Sequence, residues 1–151
     1  MSRASVLRLV DASANRALEG VRVCEEIIRF HLENRRLFPK CRRLRHAIAA
    51  AVRALPVTPV ELVGARESGR DIGRQARAGR TATLERAAII NLQRAKESLR
   101  TLEELSRVLD PRLTRRFQAL RFTTYDVERD LLLALAALRH PRPLRRRRPA
   151  A

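Results

Sequence analysis

Two rows of charged residues and one glycine-spaced arginine segment are the parts of this sequence equipped for chemistry. Asn15, Glu19, Arg22, Glu26 and Arg29 follow one another at spacings of 4, 3, 4 and 3, and Gln93, Glu97, Arg100, Glu104 and Arg107 repeat that spacing 78 residues later. Residues three and four apart share a helix face, so each set makes one stripe of alternating charge. Two readings stand. One is a solvated face of ion pairs worth ~0.3–0.5 kcal/mol each; the other is a partly buried polar network lining a site. Gly20 and its counterpart Ser98 lie beside the stripes, and a small residue in mid-helix marks the close approach of a helix or a ligand. The second constellation is Gly64-Ala65-Arg66-Glu67-Ser68-Gly69-Arg70-Asp71-Ile72-Gly73-Arg74. Its glycines let backbone N–H groups turn toward an anion, and its arginines grip phosphate oxygens two at a time. The Gly-Lys-Ser/Thr signature of a P-loop is absent, and a basic surface loop is the bland alternative.

These residues need long helices to hold them. The spacing predicts a first helix from about Val6 to Glu33 and a second from about Leu37 to Leu55, stopped by Pro56. A third is predicted from Thr83 to Leu109. A fourth is capped by Asp110 with Pro111 at its first position and reaches about Arg139. Thr58-Pro59 predicts a short helix through Val63 inside the loop region of residues 56–82. Arg16–Arg29 recurs as Arg94–Arg107, with Arg, Ala, Glu, Arg, Glu, Glu and Arg in register, and Leu44-Arg45 is echoed by Leu120-Arg121. The expected architecture is all-α: a bundle of two antiparallel helix hairpins related by an internal pseudo-repeat, with the Gly/Arg-rich loop between them.

Composition agrees. The 151 residues include 33 Lys or Arg against 16 Asp or Glu, a net charge of +17, with 3% aromatic residues, five glycines and no tryptophan. Sandwiches and doubly wound sheets use more glycine for turns; Leu, Ala, Arg and Glu favour helix. The longest apolar run, Leu131–Leu138, falls far short of the ~20 residues of a membrane span, and Met1-Ser2-Arg3-Ala4 opens no signal-peptide core. Cys24 and Cys41 fit no metal spacing and read as buried thiols in a reducing cytoplasm. Residues 1–140 are expected to form the helical domain, and 141–151 a disordered Arg/Pro-rich tail able to hold nucleic acid only non-specifically.

Several segments together resemble a known family. Asp11 to Glu26 is similar to its opening D-A-N-x-N-R-A-x-E-G-x-R-V-x-E-D, and Leu44-Arg45-His46 to its L-R-H. Ala65 to Gly73 is similar to A-R-D-S-x-x-D-V-G, Asn91 to Glu104 to N-x-x-R-x-x-E-A-L-R-x-L-E-E, and Leu120 to Tyr125 to L-R-F/Y-x-x-Y. Ser13, Glu67 and Ser98 depart from the usual Asn, Asp and Ala. The chain thereby resembles an atypical hydroxymethylpyrimidine-phosphate kinase family, the all-helical domain often fused ahead of thiamine-phosphate synthase. No synthase barrel is present here, so the copy is expected to stand alone.

The resemblance implies ATP-dependent conversion of hydroxymethylpyrimidine phosphate to its diphosphate in thiamine synthesis, with Mg²⁺. The acceptor is already ionised at neutral pH, so the difficulty is bringing two phosphates together and the remedy is positive charge. The residues expected to act are Arg66, Asp71, Glu19 and Glu97, the last three also as candidate Mg²⁺ ligands. Expected substrate and phosphate binders are Asn15, Arg16, Arg22, Arg45, His46, Ser68, Arg70, Gly73, Asn91, Arg94, Arg100, Arg121 and Tyr125. The two stripes are expected to face each other across a hollow that Arg66 to Asp71 closes. A homodimer and contact with thiamine-phosphate synthase are the expected partners. A regulatory module without catalysis and a basic nucleic-acid binder are the rival readings.

Overall fold

A computed structural model describes residues 2–76 and 79–139. The expected tail at 141–151 lies outside the described residues. Helix α1 spans Arg3–Glu26 and runs directly into a π-helical turn, Ile27–His31. Helix α2 spans Leu37–Arg53, α3 Pro59–Gly64, α4 Leu84–Leu109 and α5 Thr114–Arg139. Single 3-10 turns lie at Ser68–Arg70 and Pro111–Leu113. The described residues contain no strand.

The ends follow from side-chain chemistry. Ser2, Thr58 and Thr83 each accept a backbone N–H three residues on, which satisfies donors that the first turn leaves free. Thr58 and Glu61 complete a reciprocal capping box. Asp110 accepts from the Arg112 amide and sets the tight turn between α4 and α5. The first helix differs from expectation: its last stretch widens into the π turn, and Glu33 then adopts φ 48°, which reverses the chain toward α2. The Asn34 side chain accepts the Leu37 amide at 2.9 Å and starts the new helix.

α1 packs on both α2 and α4, and α5 packs on the same two helices. The ion pairs Glu85–Arg139, Lys96–Glu128 and Glu103–Arg121 fix α4 and α5 antiparallel in register. Gly20 lies against Asn91 and Ala95, and the Cys24 thiol donates to the Ala88 carbonyl, so α1 and α4 are antiparallel as well. The α1–α2 reversal makes α2 parallel to α4. The crossover of residues 54–83 must therefore travel the length of the bundle. The core holds Val10, Ala17, Val21, Ile28, Ile48, Leu92, Leu99, Leu102, Phe117, Val127 and Leu131, all fully buried. No helix among the described residues is long and apolar enough to cross a membrane.

Candidate functional site

The α1–α4 seam explains the small residues that the stripes flank. A Cβ on Gly20 would stand 2.4 Å from the Asn91 carbonyl oxygen, so only glycine permits that approach. The neighbour is a helix, not a ligand. The stripes do not face each other across a hollow. Glu19, Arg22, Arg29, Gln93, Glu97, Arg100, Glu104 and Arg107 are all exposed. Within each helix Arg22 pairs with Glu26 at 2.7 Å, Arg100 with Glu104 at 2.7 Å and Arg107 with Glu104 at 3.5 Å, while Arg29 lies over the Phe30 ring. The Gln93 amide donates to Glu97 at 2.8 Å.

The buried carboxylates are the neighbours of the striped ones. Glu25 is 2% and Glu103 1% exposed. Arg45 of α2 grips Glu25 through Nε at 2.6 Å and Nη2 at 3.2 Å, with Arg22 added at 3.4 Å. Arg121 of α5 holds Glu103 at 3.0 Å, with Arg100 added at 2.8 Å. One arrangement thus occurs at both hairpins. Burial on its own would raise the Glu25 carboxyl, but the Arg45 hydrogen bond and the charges of Arg45, Arg22 and Arg42 hold it below the usual carboxylate range. Arg22, Arg45, Arg100 and Arg121 are committed to these pairs and do not line a cavity with Arg66, as a shared phosphate site would require.

The cavity lies elsewhere. A pocket of about 570 Å³ opens between the N-terminal half of α1 and the crossover. Ser5, Arg8, Leu9, Asp11, Ala12 and Arg16 form the helix wall, and Arg66, Glu67, Ser68 and Asp71 the crossover wall. Arg66 donates to both Asp11 oxygens, at 2.8 and 2.7 Å, and Asn15 donates to Asp11 Oδ1 at 3.2 Å. The Asp11 hydrogen bond raises the Arg66 guanidinium further above its ordinary value, so it remains a cation. Arg8 reaches Glu67 at 3.4 Å. Arg16 has no side-chain partner among the described residues. Asp71 pairs with no cation there; its Oδ1 accepts the Gly73 amide at 2.8 Å. A Cβ on Gly73 would come within 3.2 Å of that oxygen, so glycine suits the turn that holds Asp71.

Farther toward the N-terminus of α1, Arg3 meets Glu61 at 2.6 Å. That contact and the Thr58 donors lower Glu61 to about 2. The crossover is therefore tied to α1 at three levels by ion pairs, while Val60, Val63 and Ile72 are left exposed.

Of the expected site residues, Arg16, Arg66, Ser68 and Asp71 line the pocket, Asn15 supports it through Asp11, and Gly73 shapes it. Arg70 is exposed, 4.0 Å from Glu67. Asn91, Arg94, His46 and Tyr125 do not line it: Asn91 donates to the Ala87 carbonyl, and the Tyr125 ring lies 5.0 Å from Lys96 Nζ and edge-on to Phe122. Glu19, Glu97 and Asp71 do not converge; among the described residues no three of His, Cys, Asp and Glu form a metal-holding group. Sequence reasoning missed Ser5, Arg8 and Asp11 as pocket residues. Ser5, Arg8, Ala12 and Arg16, at spacings of 3, 4 and 4, carry the same one-face signal as the stripes.

Among known proteins, the model of the ThiD2 family matches residues 8–130. The chain is 39% identical over 134 residues to a thiamine-phosphate synthase of Synechocystis sp. (strain ATCC 27184 / PCC 6803 / Kazusa), covering 87% of this chain and 37% of that protein. It is 33% identical over 141 residues to a thiamine-phosphate synthase of Rhodopirellula baltica, covering 89% and 36% respectively. For that of Nostoc punctiforme the figures are 34% over 130 residues, 84% and 35%. The chain thus spans little more than a third of the length of these relatives. No solved structure matches it.

Proposed function

The chain belongs to the ThiD2 family, and from that premise we propose that it transfers a phosphoryl group from ATP to hydroxymethylpyrimidine phosphate, in the service of thiamine biosynthesis. The pocket between α1 and the crossover is the proposed site. The observation that carries this reading is the composition of its walls: three guanidiniums, Arg8, Arg16 and Arg66, stand around one cavity of about 570 Å³, a size suited to a small ligand.

In this reaction an acceptor phosphate oxygen attacks the γ-phosphorus, the bond to ADP breaks, and no proton need be removed from an already ionised acceptor. The protein's task is to hold two anions together. Arg66 suits it because Asp11 fixes its planar fork in advance. Arg16 offers an unpaired cation, Ser5 and Ser68 offer hydroxyl donors, and Leu9 and Ala12 offer an apolar bed for the pyrimidine ring. Asp71, whose carboxylate meets no cation among the described residues, is the pocket residue that would hold Mg²⁺, an ion that takes one or two carboxylates and fills its remaining positions with water and substrate phosphates. When bound, the ion would neutralise phosphate charge.

The test is the purified chain with Mg-ATP and hydroxymethylpyrimidine phosphate, with ADP and diphosphate both measured. The expected result is equal release of the two, reduced by about tenfold or more in Arg66→Ala and Asp71→Ala. Pyrimidine-phosphate binding with no ADP released would instead make the chain a non-catalytic module. Unchanged turnover in both variants would remove the pocket from the mechanism.

A further inference from the structure

Two ion pairs join α1 to the crossover across the pocket, and they are unequal. Asp11–Arg66 is short and two-pronged; the Asp11 side chain is only 13% exposed and Asn15 supports it. Arg8–Glu67 is a single contact of 3.4 Å between side chains 43% and 48% exposed. Glu67 is also drawn the other way, since Arg70 stands 4.0 Å from the same oxygen. A guanidinium carries five N–H donors, and Glu67 meets Arg8 through one nitrogen only. Arg8 therefore stands in the pocket wall with most of its donors unspent, beside a weakly held carboxylate.

A carboxylate and a phosphate present oxygens to a guanidinium in the same way, but the phosphate carries nearly twice the charge at neutral pH. We propose that Arg8 is a phosphate-binding residue of this pocket and that Glu67 is an internal stand-in, which a phosphate group of the ligand displaces. This rests on the pocket being a phosphate site, and it deepens that reading by dividing the two clasps. Asp11–Arg66 stays closed and keeps the crossover in place. Arg8–Glu67 opens and hands its cation to the ligand.

Inorganic pyrophosphate, titrated calorimetrically into the full chain without ATP, tests the exchange separately from turnover. Glu67→Gln removes the competitor and should bind about two- to fivefold tighter, the range expected for loss of an exposed pair. Arg8→Gln should bind several-fold weaker. The double variant should bind like Arg8→Gln alone, because the gain exists only through Arg8. Melting temperatures within a few degrees of the parent keep the comparison on folded protein; both side chains are exposed enough to make that the expectation. The proposal is overturned if Glu67→Gln binds no tighter, if its gain survives without Arg8, or if neither the parent nor any variant binds pyrophosphate. A chain that shows the exchange but releases no ADP would leave this assignment standing and remove only the transfer reaction.

Discussion

Glu25 shows how a single buried charge is made tolerable. It sits on the apolar line Leu18, Val21, Ile28 and Leu32, seven residues after Leu18, yet Arg45 and Arg22 surround it. Removing the carboxylate charge leaves a half-buried guanidinium without its counter-charge, so Glu25→Gln should cost about 2–3 kcal/mol. The pH dependence has a definite sign. Because the folded carboxyl is held below its ordinary 4.5, its stabilisation is fully present above that value. It is lost as pH falls through the lowered folded value. Urea midpoints for parent and Glu25→Gln should therefore differ most at pH 6–7 and converge as pH drops below about 4. A gap that widens on acidification would refute this account. The position is legible in the sequence as an acid on an apolar line, next to Glu26 of the alternating stripe. Arg45 and Arg121 are expected from the sequence to bind phosphate, but neither lines the pocket. Their work is the holding of Glu25 and Glu103, and a hairpin partner some 20 residues away in sequence gives no local signal of that kind.

At the level of elements, helix ends were the most legible feature. Thr58 and Thr83 cap where their side chains say they should, because capping is decided within three residues, whereas Asp110 caps the 3-10 turn Pro111–Leu113 and the long α5 starts only at Thr114. The π turn after Glu26, where Ile27 and Ile28 are buried, was not legible, since no capping or turn residue marks it in the sequence. The pocket was half legible for a similar reason. Arg66, Ser68 and Asp71 advertise themselves among glycines, whereas Ser5 and Arg8 acquire meaning only when the crossover is laid along α1. Gly20 governs the closest helix pair. Gly20→Ala would improve helix propensity by up to ~1 kcal/mol in an isolated helix. Against the Asn91 carbonyl at 2.4 Å it must instead force α1 and α4 apart. Net destabilisation of about 1–3 kcal/mol is expected, read as a lower thermal midpoint. A stabilised Gly20→Ala variant would show that the seam has slack.

For the whole molecule, the contrast is between a bundle closed by apolar burial and a crossover fastened by charge. The residues of α3 include none that are buried, and exposed or partly exposed pairs join it and the following segment to α1. Salt at 0.5–1 M screens such pairs within a few ångströms but leaves apolar burial intact. Limited proteolysis in high salt should therefore cut faster between residues 60 and 76 while the far-ultraviolet helical signal holds steady. Cleavage unaffected by salt would mean that Val57 and Leu62, packed against the core, anchor the crossover instead.

The two thiols sit at different junctions of this bundle. Cys24 points from α1 to the Ala88 carbonyl of α4, and Cys41 from α2 to the Val21 carbonyl of α1. Burial pushes both up, Cys41 to about 12 and Cys24 beyond it. Neither sulfur is a nucleophile at neutral pH while its junction is shut. The chain thus carries two native witnesses to its own breathing, one for the parting of the hairpins from each other and one for the parting of a hairpin's two arms, distinguishable by which sulfur takes up a label first.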